Sequence, residues 1–149
     1  MTQVVYFTYQ LVYFLHKIRV PVLPLLIDAI VIRIMLGCRI QIGAKIGKRV
    51  ILGNGGLGIV IHRRVVIEDN VSIAPNVTIA GTTKKEGAPY IGENSAIGTG
   101  ARLLGPIRVG KNCYIGANAV VLDDIPDNCV AVGVPARVIK TNINIWDYK

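Results

Sequence analysis

The sequence predicts an all-β solenoid, a parallel β-helix, preceded by a short N-terminal α-helical arm. Three observations carry this. An aliphatic residue recurs every six positions: Ile40, Ile46, Leu52, then Ile61, Ile67, Ile73, Ile79, then Ile91, Ile97, Leu103, Val109, Ile115, Val121. Four places after most of these stands a small or branched residue, among them Ala44, Val50, Val65, Ser95, Cys113 and Ala119. Finally, 52% of the 149 residues are apolar but only 6% aromatic, so the interior is assembled from Ile, Val, Leu and Ala. A period of six matches neither an amphipathic helix nor a long alternating strand. It describes a short strand, a corner and another short strand. Three such faces close a triangular coil of ~18 residues, and coils stack into a β-helix.

The elements follow in chain order. From Val4 to Ile18 the apolar residues Val5, Leu11, Val12, Phe14 and Leu15 are compatible with a helix. Pro21 and Pro24 break it and start a second helix running to about Leu36, with Gly37 as its stop. The arm is therefore residues 1–37. The repeat occupies residues 38–126, and residues 127–149 form a tail. Within the repeat, Gly often follows the aliphatic position directly, as at Gly47, Gly92, Gly98, Gly110 and Gly116.

The period slips twice. Leu52 to Ile61 spans nine residues, so three extra residues are taken up inside GNGGLG, residues 53–58. Ile79 to Ile91 spans twelve, and the polar stretch between them predicts an extruded loop at about 80–90 carrying Lys84 and Lys85. Insertions in a solenoid map to loops, and these often form its binding face.

Seventeen Lys and Arg against nine acidic residues give a net charge of +8, which favours an anionic partner. No long run of like charge and no interleaved aromatics support a nucleic-acid surface. The three cysteines, Cys38, Cys113 and Cys129, form no CxxC, so neither a disulfide framework nor a metal site is expected. A reducing cytoplasm is the simplest setting. The stretch Val20–Gly37 has about the length of a membrane span but carries Asp28 and Arg33, which argue for a packed or membrane-surface helix instead.

The hexapeptide series, the loop after VTIAGT and the ending IGANAVVLDDIPDNCVAVGVPARVI resemble the serine acetyltransferase branch of the hexapeptide-repeat acyltransferases. The resemblance covers about residues 38–140, and the GVPAR segment, Gly133 to Arg137, is its most characteristic part. The helices flanking VPVLPLL resemble small forms associated with surface-polysaccharide gene sets. The resemblance implies a left-handed helix, a homotrimer with sites between subunits, and acetyl-CoA as acyl donor. It places Gly81, Thr82, Thr99 and Ala117 beside the donor. Lys84, Lys85, Arg137 and Lys140 are its candidates for the anionic end of CoA.

Acetyl transfer to a hydroxyl needs a base for the hydroxyl proton and donors for the oxyanion. The family's base aligns with Asn54, or with Gly55 if the gap moves by one. Its supporting carboxylate aligns with Arg39 and a second histidine with Ala88. Two histidines remain in the chain. His16 falls in the first helix. His62 falls at a corner beside the register break, followed by Arg63 and Arg64, whose charges favour a neutral ring. His62 is the candidate base, and Asn54 the candidate for orienting the acceptor or the oxyanion. The resulting function is acetyl-CoA-dependent O-acetylation of L-serine, or of a cell-surface glycan or its precursor. The alternative is a catalytically silent scaffold that keeps the trimer and CoA binding. Peripheral membrane contact through the helical arm stays open. A γ-type carbonic anhydrase would need three histidine ligands, one more than the chain has.

Overall fold

The computed structural model describes residues 2–35, 37–83 and 86–149. It is a left-handed parallel β-helix with three faces. The first face stacks β1 (Arg39–Ile40), β4 (Val60–Ile61), β7 (Thr78–Ala80), β10 (Arg102–Leu104) and β13 (Val120–Val121). The second stacks β2 (Lys45–Ile46), β5 (Val66–Ile67), β8 (Tyr90–Ile91) and β11 (Arg108–Val109). The third stacks β3 (Ile51–Leu52), β6 (Ser72–Ile73), β9 (Ala96–Ile97), β12 (Tyr114–Ile115), β14 (Val130–Val132) and β15 (Arg137–Lys140).

The register explains both slips in the sequence period. Down the first face Arg39 pairs with Val60, Val60 with Thr78, Thr78 with Arg102 and Arg102 with Val120, steps of 21, 18, 24 and 18 residues. An undisturbed coil takes 18. The coil with the glycine turn takes three more, and the coil with the loop takes six more. In both, the surplus is spent at a corner, so every inward position stays above its counterpart. Ile40, Ile61, Ile79, Leu103 and Val121 thus form one buried column, and Ala44, Val65, Ile107 and their equivalents fill the corners.

Two polar devices serve the corners. Ser95, fully buried at an inward position, donates from Oγ to the Gly110 carbonyl at 2.9 Å and accepts the Cys113 N–H at 3.0 Å. Its hydroxyl is satisfied without water, as burial requires. Asn70, Asn76, Asn94, Asn112, Asn118 and Asn128 all hold φ between 54° and 61°, the left-handed region that Asn tolerates better than most residues. Three of them form a ladder: Asn94 donates to Asn112 at 3.2 Å, and Asn112 to Asn128 at 2.9 Å.

Both ends are closed. At the start, α1 (Thr2–Lys17) buries Val5, Tyr9 and Val12 on the first coil. Tyr9 donates to the Ala44 carbonyl at 2.7 Å, Tyr6 to Gly47 at 2.9 Å and Gln10 to Ile46 at 3.2 Å, satisfying carbonyls that have no coil beyond them. Burial drives the Tyr9 phenol pKa well above its ordinary value, so it stays a donor. The predicted second helix is in two parts, α2 (Leu23–Ile27) and a π-helix over Asp28–Met35. Gly37 follows at φ 58°. At the other end, the strands extend past residue 126: β14 continues the third face, and β15 folds back antiparallel on it. In the tail, Ile145 is 3% exposed and Tyr148 stacks on Tyr114 with ring centres 5.1 Å apart, whereas Trp146 is 67% exposed. Cys38, Cys113 and Cys129 are core residues, and burial pushes the Cys113 thiol up to about 11. Among the described residues no helix is long and apolar enough to cross a membrane.

The corner glycines are a test of this stacking. A Cβ on Gly92 would lie 2.6 Å from the Gly110 backbone directly beneath it. Gly92→Ala is expected to cost about 1–3 kcal/mol through overpacking, read as a lower urea midpoint with an unchanged slope. A neutral result would show that adjacent coils can separate locally.

Candidate active site

The candidate residues fall at two different corners of the coil. His62 sits between β4 and β5, where the first face turns into the second. Asn54 sits between β3 and β4, where the third face turns into the first. The extended run from Gly58 to His62 alone spans roughly 13 Å at ~3.3 Å per residue. Within one chain the two side chains therefore belong to separate edges of the prism.

His62 is half-buried at its corner. Its backbone is fixed on both sides, by its own N–H on the Ile79 carbonyl at 2.9 Å and by the Val65 N–H on its carbonyl at 3.0 Å. Its pKa lies below the ordinary value, first because of burial and then because of the Arg64 and Arg63 charges. Each of the cations named from sequence is thus a smaller cause than burial. The Arg64 N–H donates to Nδ1 at 3.3 Å, which selects the neutral tautomer with its proton on Nε2. His16 is exposed near the end of α1.

Asn54 is exposed on a tight turn over Gly53–Gly56, with φ 48° at Asn54 and 70° at Gly55. The three extra residues of the sequence period are this turn. Thr99 and Ala117 lie on the same edge, two and three coils further on. With Ser72, Pro75, Tyr114 and Tyr148 they line a groove of ≈ 360 Å³ on the third face. The docked tail supplies one wall of it through Tyr148. The two aromatics of the tail, Trp146 and Tyr148, are the signal for docking in the sequence, and the structure uses Tyr148.

The other edge holds a larger groove of ≈ 650 Å³, bounded by Thr82, Leu104, Pro106, Leu122, Asp123 and Asp124. Gly81 precedes Thr82 at the mouth of the 80–90 loop. Lys84 and Lys85 lie outside the described residues. Asp124 accepts the Arg108 N–H at 2.7 Å, and Asp123 faces Arg137 at 3.4 Å, an exposed pair. Arg137 is therefore already partnered near this groove. Lys140, at the far end of β15, approaches the Tyr148 hydroxyl at 3.4 Å, on the side of the third-face groove. Of the aligned departures, Ala88 falls on the His62 side, half-buried at the end of the loop, whereas Arg39 begins β1 on the first face, paired with Val60, and is exposed.

A coil of short parallel strands with a hexapeptide period and grooves on its edges defines a hexapeptide-repeat protein. Residues 88–123 match the family of bacterial transferase hexapeptide (six repeats). Within that class, the chain is similar to serine acetyltransferases. It is 37% identical over 133 residues to the serine acetyltransferase of Synechococcus elongatus, covering 88% of this chain and 54% of that protein. It superposes on a serine acetyltransferase from Brucella abortus in complex with coenzyme A, with TM-score 0.83 and 34% identity over 92% of this chain and 55% of the other. It also superposes on soybean serine acetyltransferase complexed with serine, with TM-score 0.81 and 34% identity over 89% of this chain and 54% of the other. The chain thus spans about half the length of the relatives it matches.

The depressed His62 pKa has a defined consequence. The unfolded chain binds this proton more readily than the folded one, so His62 subtracts stability as pH falls from about 6.5 through its lowered folded value. Above about 6.5 the penalty is absent. An NMR titration of His62 is expected to show a midpoint below about 6.5. Arg64→Gln should raise that midpoint only part of the way, because burial is the larger cause. A wild-type midpoint at or above 6.5 would remove the electrostatic case for a neutral ring.

Proposed function

We propose that the chain is an acetyl-CoA-dependent O-acetyltransferase of the serine acetyltransferase-like type, acting on a small hydroxyl acceptor. The observation that carries this reading is the superposition over about nine tenths of the chain on serine acetyltransferases, one holding coenzyme A and one serine. The same likeness supports L-serine as acceptor. The replacement of the aligned histidines by Asn54 and Ala88 keeps a sugar hydroxyl of a cell-surface glycan or its precursor as the second acceptor to test.

The separation of His62 and Asn54 supports a homotrimer. Two corners of one prism face different directions, so they can serve one acceptor only when the His62 edge of one copy meets the Asn54 edge of its neighbour. In that arrangement Gly81, Thr82, Thr99 and Ala117 line the donor's path. Arg137 and Lys140, with Lys84 and Lys85 from the loop, meet its anionic end. His62 takes the acceptor's hydroxyl proton as the oxygen attacks the thioester carbonyl, and returns it to the sulfur as the C–S bond breaks. The proton enters at Nδ1, so the long Arg64 contact must open during the step. Asn54 carries an amide that can donate to the oxyanion or orient the acceptor, but cannot act as a base.

A second reading is a catalytically silent scaffold. The observation favouring it is that Nδ1 of His62 is already engaged while the aligned base position holds an asparagine.

Release of CoA thiol from acetyl-CoA, with L-serine and a sugar panel as acceptors, decides between them. Acceptor-dependent release should fall ~100-fold or more in His62→Ala, the scale of a lost general base, with donor binding retained. Asn54→Ala should cost ~10²- to 10³-fold if it supplies an oxyanion donor. Undiminished release in His62→Ala would exclude it as the base. Donor binding without release on any acceptor would establish the scaffold. Light scattering on the purified chain should give three times the 16.1 kDa mass, and a monomer would rule out a site shared between copies.

A further inference from the structure

The helical arm is apolar on two opposed sides. Val5, Tyr9 and Val12 are buried against the first coil. Val4, Phe7, Leu11, Phe14 and Ile18 form a second stripe, centred roughly 140° away around the helix at ~100° per residue. That stripe faces outward, with Phe7 64% and Phe14 57% exposed. It continues beyond α1, where Val22, Leu23, Leu25, Leu26 and Ile30 are also exposed. Between the two parts, His16, Lys17 and Arg19 border a notch of ≈ 540 Å³ whose other walls include Val22, Pro24 and Leu25. Residues 1–27 contain no Asp or Glu.

An apolar strip this long is not an ordinary solvated face. Inside α1 its spacing of three and four would suit a helical partner. Half of the strip, however, lies past Pro21, on a five-residue helix with Pro24 in its first turn, on its N-cap Val22 and on the π-helical segment, where a coiled-coil seam cannot continue. A lipid surface takes both parts at once. The apolar side chains enter the acyl boundary while the cations between them meet headgroup phosphates. The absence of acidic residues and the net charge of +8 suit an anionic surface in particular. We infer that the N-terminal arm is an interfacial anchor that lays the β-helix on an anionic phospholipid bilayer. This inference is independent of the acetyl-transfer reading.

Flotation of the full chain with vesicles tests it. Wild type should float with mixed phosphatidylcholine and phosphatidylglycerol vesicles, more weakly with phosphatidylcholine alone, and less as salt rises from ~0.1 to ~0.5 M. Leu11→Glu with Phe14→Glu should lower partitioning ~10-fold or more, with melting temperature and oligomeric mass unchanged. Lys17→Glu with Arg19→Glu should abolish the anionic preference, a loss of about 25-fold or more. No flotation of wild type with either vesicle would overturn the proposal. A fall in oligomeric mass or loss of folding in the Leu11 and Phe14 variant would also overturn it, by assigning the stripe to a second copy or to the chain's own packing.

Discussion

The molecule depends on one constraint: each inward side chain must stand directly over its equivalent in the coil before. The backbone ladder between coils is made of strands only two to four residues long, so no single strand is stable by itself. Stability comes from repetition, with each coil burying the aliphatic column of its neighbour. That constraint explains why extra residues appear only in threes and sixes and only at corners. An insertion inside a strand would turn every following side chain to the wrong face. At a corner, the same insertion costs only a turn or a loop.

The constraint also explains the residue types that look minor in the sequence. Corners need left-handed backbone, which the asparagines supply, and room for a neighbouring corner, which the glycines supply. The ends need partners for polar backbone that lacks a further coil. At the start, Tyr6, Tyr9 and Gln10 provide them from α1. At the finish, β15 and the tail fold back over the last coil. The arm is therefore a structural cap on one side, whatever its opposite side binds.

The consequences for chemistry follow from the same geometry. A prism carries its variable residues on its edges, and each edge sees only part of a site. His62 and Asn54 belong to separate edges although eight positions apart in sequence. The reading of the chain as an acetyltransferase joins them through a second copy. The groove beside the loop is partly acidic, with Asp123 and Asp124 in its wall, so Arg137 is held by a carboxylate before any anionic ligand arrives.

From the sequence alone, the six-residue period determined the class of fold, the identity of the core columns and the location of both insertions. It could do so because burial of an aliphatic position is a local, repeated event written at every sixth residue. The neutral bias of His62 was also legible, from Arg63 and Arg64 beside it. Only the tertiary structure decided that burial is the first cause of that bias, that Nδ1 is engaged, that Tyr148 rather than Trp146 docks, and that the second helix is partly π-helical. Those outcomes depend on which atoms of distant residues come within a few ångströms of each other. A periodic pattern specifies the stacking of coils, but not the contacts made at their corners and ends.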